Sequence, residues 1–342
     1  MVKDVPQMPN LPIKYPMVNS SMNSSHLLSV VEVCSRKMDW LHNHYIHLYL
    51  GANMDVMDLE FLSPEQSLGH FPYLNLKEIR LGPERVAVKQ ILDCLAEKEY
   101  VEVSLDEFYI EGKHYFNKVH FERNFMIYGY DDLSHTFSIA GSDYDKIFEF
   151  HELPADQIIS SLRAHAFERR SIRSVRLNEA DKMHFEPTTL IASLADYYYS
   201  RQPETMVTCP GTDGGSCWGM KVYGALLDYL DRLARNEIFY CVRPFHLLWE
   251  HKKCMVNRLG YLSQCGYNLS DFIMKGYEDI YETTLILRNI LVKYHLEPDL
   301  NLLRIAARTV ESIDVQERAL LSALLKEFST VTSKIEEKEN SR

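Results

Sequence analysis

The apolar residues of this chain change their spacing along its length, and that change most constrains what it can fold into. From Ser24 to about His42, the residues Leu27, Val31, Cys34, Met38 and Leu41 recur at helical spacing as one stripe, with Ser24 and Ser25 where an N-cap belongs. Arg85 to Lys98 repeats the pattern, with Val86, Ile91, Leu92 and Leu95 on one side. The period then drops to two: Tyr100 to Leu105, His120 to Tyr128 and Thr136 to Ile139 alternate as strands do. Gly129-Tyr130-Asp131-Asp132 turns between the last two. Helix followed by antiparallel strands is an α+β order.

From about residue 155 the signals are helical again. Helices are expected at Ala155 to His165, Thr188 to Ser200, Met220 to Asn236, Arg243 to Cys265, Leu269 to His295, Leu300 to Ile313 and Val315 to Ile335. Thr208 to Gly215 is the clearest loop. The predicted organisation is an extended segment over 1–22, an α+β domain over 23–165, a helical domain over 166–335 and a charged tail over 336–342. Such a chain of 342 residues, 46% hydrophobic and 25% charged, builds real cores.

A net charge of −11 argues against general affinity for phosphate backbones, so no nucleic-acid partner is expected. The basic run Arg163 to Arg176 reads as a solvated helix face or a local dock for an acidic partner. No apolar run approaches the ~20 residues that span a bilayer, so no membrane partner is expected. The proline-dotted start has no apolar core of the signal-peptide kind. Seven dispersed cysteines without a CxxC pair fit reduced thiols, and hence a cytoplasmic location, with no cysteine-based zinc site. His42, His44 and His47 read as a solvated helix end. Neither GxSxG nor GxxxxGK[ST] occurs, and no cofactor is expected.

A helix followed by a sheet is the order that papain-like enzymes use. Their nucleophile opens the first helix, and a histidine on the sheet acts as base beside an orienting acid or amide. Three features of this chain carry a more specific resemblance: the run Asp106-Glu107-Phe108-Tyr109, the His120 strand ending in Tyr128-Gly129-Tyr130-Asp131, and the helical second half with Gly219 to Tyr223, His246-Leu247-Leu248 and Glu250-His251. With these the sequence, over roughly residues 20–265, resembles the butirosin biosynthesis protein H family, whose N-terminal domain is similar to papain-like leader peptidases. The resemblance implies an acyltransferase that moves an acyl group from a carrier-protein thioester, on its phosphopantetheine arm, to an amine acceptor in natural-product assembly.

The family's pattern puts cysteine at the start of the first helix, and here Ser24 and Ser25 stand there. Cys34 is the nearest thiol, about three turns into the expected helix. The family's histidine position is held by Arg123, which cannot act as a base but can bind a phosphate. His120, three residues earlier, becomes the base only if a bulge or a shifted strand start re-aims it. Asp143 is the orienting acid of choice, with Asp131 behind it. Cys217 follows a glycine-rich loop in a papain-like local context, Gly214-Gly215-Ser216-Cys217-Trp218, and is a competing nucleophile or a border of the substrate channel. His246 and Glu250 share a helix face, as a hydrogen-bonded pair or part of a binding site. Tyr197-Tyr198-Tyr199 packs between helices or lines an acyl pocket. Three activities remain open: acyl transfer, a non-catalytic papain-like scaffold that binds a carrier, and a cysteine peptidase.

Overall fold

In the computed structural model, the stretch where the period drops to two becomes the middle of a six-stranded antiparallel sheet. The structure describes residues 10–20, 24–35, 37–51, 57–68, 70–142, 148–164, 171–178, 184–204 and 217–339. In chain order the first elements are α1 (Ser25–Val31), α2 (Lys37–Leu41), β1 (Leu48–Leu50), β2 (Leu59–Phe61), α3 (Pro64–Leu68), β3 (Leu74–Arg80) and α4 (Glu84–Ala96). Then come β4 (Tyr100–Asp106), β5 (Glu122–Asp131), β6 (Thr136–Ser142), β7 (Phe148–Pro154), α5 (Ala155–Ala164) and β8 (Ser171–Leu177). The rest is α6 (Pro187–Tyr199), β9 (Cys217–Trp218), α7 (Val222–Ala234), α8 (Arg243–Gln264), α9 (Asp271–Leu296) and α10 (Leu300–Glu339).

The chain divides into two compact units, and not at residue 165. Residues 1–37 and 71–182 form one, while 38–70 and 183–342 form the other. The first unit holds the sheet, in the order β3-β8-β4-β5-β6-β7. Strand β8 lies where a basic helix face was expected. It is a strand because Ile172, Ser174 and Val175 bury on a pleat whose arginines have acidic partners. Alternation along β4 sends Val101, Val103 and Leu105 into a core with Ile91 and Leu95 of α4 and Ile158 and Leu162 of α5. Glu102, Ser104 and Asp106 point the other way. There His26 of α1 reaches Glu102, its Nε2 2.7 Å from Oε1.

Glu102 is 5% exposed and directly opposite Arg173 in the register of β4 and β8. Arg173 donates to both carboxylate oxygens, Nε to Oε2 and Nη2 to Oε1. Burial by itself would raise the carboxyl pKa, but the bonds from His26 and Arg173 outweigh it and hold Glu102 down at about 2.

The stripe from Leu27 to Leu41 is broken into α1 and α2. After Val31 the chain turns tightly, with Val33 N–H donating to Val30 O and Cys34 N–H to Val31 O. Lys37 Nζ then satisfies the Glu32 carbonyl at 2.6 Å and pairs with its carboxylate. Cys34 is therefore a buried residue of the turn after the helix, not three turns inside one. Val86 faces solvent instead of sharing the apolar side of α4, and Ala87 takes its place. The turn after β5 falls at residues 132–135, so Gly129 is inside the strand, next to a bulge. A side chain at Gly129 would collide with Asn10, whose Oδ1 lies 1.7 Å from an ideal Cβ position. The segment over 10–20 is held by Leu11 N–H donating to Tyr128 O and Lys14 N–H donating to Ser29 O.

The second unit carries the small antiparallel sheet β2-β1-β9 and the long helices. Residues 300–339 form one helix, without a break at Asp314, since neither glycine nor proline interrupts it and Asp314 pairs with Arg318 one turn on. At its centre the Lys252 ammonium, fully buried, bonds both oxygens of buried Glu317 at 2.6 Å. Tyr223 donates to the same carboxylate at 2.5 Å and Tyr197 at 3.3 Å, which ties α6, α7, α8 and α10 together. Gly219, at φ +55, is required there because an added Cβ would sit 2.2 Å from Tyr197 O.

The depressed Glu102 pKa makes the first unit acid-sensitive. Its contribution is complete above about pH 4.5 and is lost as pH falls towards 2, and is worth about 3 kcal/mol. Glu102→Gln should lose about that much at neutral pH, and the gap to the native chain should close as pH drops through this window. Urea denaturation at several pH values measures it, and parallel stability curves for the two proteins would contradict it.

Candidate functional site

The sheet face that receives α1 carries two carboxylates on β4, Glu102 and Asp106. Being four residues apart, they stand about 13 Å from each other along the strand. The first is taken up by His26 and Arg173. The second receives His120.

Asp106 ends β4 and is buried. One of its oxygens, Oδ1, accepts the main-chain N–H groups of Phe108 at 3.0 Å and Phe121 at 3.1 Å. Its own N–H donates to Ser161 Oγ of α5. The other oxygen, Oδ2, is 2.6 Å from His120 Nδ1. Partial burial would raise the Asp106 pKa, and the bonds from His120 and the two amides more than reverse it, so the group sits below the ordinary carboxylate range. His120 lies before β5, which begins at Glu122, so strand alternation does not govern its direction. Its ring stacks on Phe108 at 4.3 Å, with Tyr109 at 5.8 Å, and its side chain is 63% exposed.

The acid beside His120 is thus Asp106, which opens the Asp106-Glu107-Phe108-Tyr109 run, and not Asp131. Asp131 instead closes the β5–β6 turn through Leu133 N–H and Ser134 Oγ. Asp143 lies outside the described residues. Arg123 faces away from α1, on the side of Leu105 and Phe125, and its Nε bonds the buried carboxylate of Glu107 at 2.5 Å. That guanidinium is committed within the protein and also covers the Phe121 ring. The β5 residue that shares the face of Glu102 at this level is Asn124.

Ser24 and Ser25 open α1 and are both buried. They directly precede His26, whose ring reaches Glu102. Among the described residues His120 meets Asp106, Phe108 and Tyr109, and neither serine nor Cys34 is among its partners. No known family profile and no curated protein matches this chain.

In the second unit Cys217 sits in β9, paired with Leu50 of β1, not at a helix start. Burial raises its thiol pKa, only partly offset by Lys221, so it is a poor thiolate source. His246 is 3.6 Å from Glu250 one turn away on α8, and their helix face carries Trp249 against the imidazole. His42, His44 and His47 are not a solvated helix end. Burial, with Arg258 adding to it, pushes His42 down to about 3 and His44 and His47 to about 4. Arg258 donates to the carbonyls of His42 and His44 at 2.7 Å, and His251 Nε2 donates to that of Ile46 at 2.8 Å. Their role is to hold the backbone of that loop. Of the three tyrosines, Tyr197 belongs to the buried Lys252–Glu317 network and Tyr199 faces solvent. Among the described residues no three His, Cys, Asp or Glu side chains group as a metal site, and no helix is long and apolar enough to cross a membrane.

These environments order the thiols. Iodoacetamide should label exposed Cys265 well before Cys217, with buried Cys34, Cys94 and Cys254 slowest. Peptide mass mapping over time reads the order, and Cys217 labelled first would restore it as a nucleophile.

Proposed function

We propose that the first unit is a papain-like domain that binds an acyl group presented as a carrier-protein thioester and does not capture it covalently at the start of α1. The ligand class, including the phosphopantetheine arm and an amine as eventual acceptor, comes from the resemblance to the butirosin biosynthesis protein H family. The α1-on-sheet arrangement agrees with a papain-like domain. One observation carries the rest of the reading: the imidazole that would serve a serine nucleophile is bonded to Asp106 at the end of β4 and stacked on Phe108, and among the described residues neither Ser24 nor Ser25 is one of its partners. A hydroxyl attacks a thioester only when a base takes its proton within hydrogen-bond reach.

Two further features agree with it. Arg123, in the place of the family's histidine, is spent on Glu107. Of the basic run, Arg173 and Arg176 have acidic partners of their own, Glu102 and Glu99, so these two offer little free charge to an acidic carrier. A cytoplasmic biosynthetic pathway is the setting this reading implies. The peptidase alternative is disfavoured by the raised Cys217 thiol.

Acyl-loaded carrier proteins incubated with the full chain should bind, by calorimetry, without adding an acyl mass to the protein. An adduct on the peptide holding Ser24 and Ser25, lost in the Ser24→Ala or Ser25→Ala variant, would overturn the non-covalent reading. Failure of every carrier to bind, loaded or unloaded, would overturn the ligand class.

A further inference from the structure

We propose that Asp106 and His120 form a general-base dyad that lets an amine attack the thioester directly, with Asp106 as the positioning residue. The acyl donor in this inference rests on the reading above; the dyad rests on its own geometry. An ionised carboxylate only accepts hydrogen bonds, so His120 Nδ1 carries the hydrogen in the 2.6 Å contact. In the neutral ring Nε2 then holds the free lone pair. Among the described residues none bonds that nitrogen, and the side chain is 63% exposed.

This is not an ordinary surface ion pair. The acid is 5% exposed in its side chain and anchored by two main-chain amides, so it cannot swing away with the histidine. The ring is held flat by the Phe108 stack. A fixed buried acid, a defined tautomer and an accessible Nε2 are the parts of a base positioned for proton transfer. Phe108 and Tyr109 supply an aromatic surface beside it for the carbon chain of an amine.

The step balances without an enzyme nucleophile. The amine nitrogen bonds the thioester carbonyl carbon as His120 Nε2 removes one N–H proton. The tetrahedral intermediate collapses, the C–S bond breaks with its electron pair on sulfur, and the proton on Nε2 passes to the thiolate. Amine and thioester become amide and thiol, and His120 returns to its starting form.

The test uses the full chain with acetyl and octanoyl thioesters of N-acetylcysteamine and butylamine as the acceptor, with thiol release followed by a chromogenic disulfide. Amine-dependent release should exceed the protein-free rate and fall about 100-fold in His120→Gln, which is exposed and should leave the fold intact by circular dichroism. Asp106→Asn should lower the rate too and shift the His120 tautomer, read from its two-bond ¹⁵N–¹H correlations. Rates equal to the protein-free control, or unchanged in His120→Gln, overturn the inference. So does a native His120 protonated at Nε2 in its neutral form. If the small thioesters react but no carrier binds, the dyad stands and the carrier reading falls.

Discussion

Much in the first unit follows from where one buried carboxylate is placed. Glu102 stands on a central strand of the sheet, on the face opposite the Val101–Leu105 core, with too little water to keep it charged unaided. Arg173 from the neighbouring strand and His26 from α1 supply what water would have supplied. That arrangement pins a seven-residue helix, too short to be stable alone, against the sheet. The second acid on the same face, Asp106, is then left for His120, and the two histidines cannot share a site.

The second unit solves a similar problem by other means. Its helices enclose Lys252 and Glu317 completely, and each charge is compensated by the other and by tyrosine hydroxyls. Burial lowers the Lys252 pKa, and Glu317 opposes that shift. Lys252 also donates to His251 Nδ1 at 3.0 Å, which leaves the Nε2 hydrogen of that ring for Ile46 O. Arg258 and His251, seven residues apart on one face of α8, hold three alternate carbonyls of the 42–46 loop. Nothing in these groups is open to solvent, and they read as the polar centre of a helical core.

Local periodicity made the helices of the second half legible, as well as α4 and the strands β4 to β6, because those patterns depend on neighbours in sequence. What it could not reveal depends on partners far away. The break between α1 and α2 leaves the apolar stripe uninterrupted and is stabilised by a lysine reaching back to Glu32. Strand β8 has two arginines among seven residues and makes sense as a strand only once Glu102 and Glu99 stand beside it. The proposed base, His120, is legible as a residue of the strand that carries the resemblance, but the acid beside it is not. Asp106 is fourteen residues earlier, and the intervening aromatic loop brings the two together. The burial of His42 and the partial burial of His44 and His47 were hidden for the same reason, since Arg258 lies more than two hundred residues on.

The proposed function depends on one coupling: His120 is bonded to Asp106 and not to the serines of α1. Diethyl pyrocarbonate modification of His120, followed by peptide mass mapping in the native chain and single variants, measures this directly. Ser24→Ala and Ser25→Ala should leave the rate at His120 unchanged, while Asp106→Asn should alter it clearly. A rate that shifts with either serine and ignores Asp106 would contradict it.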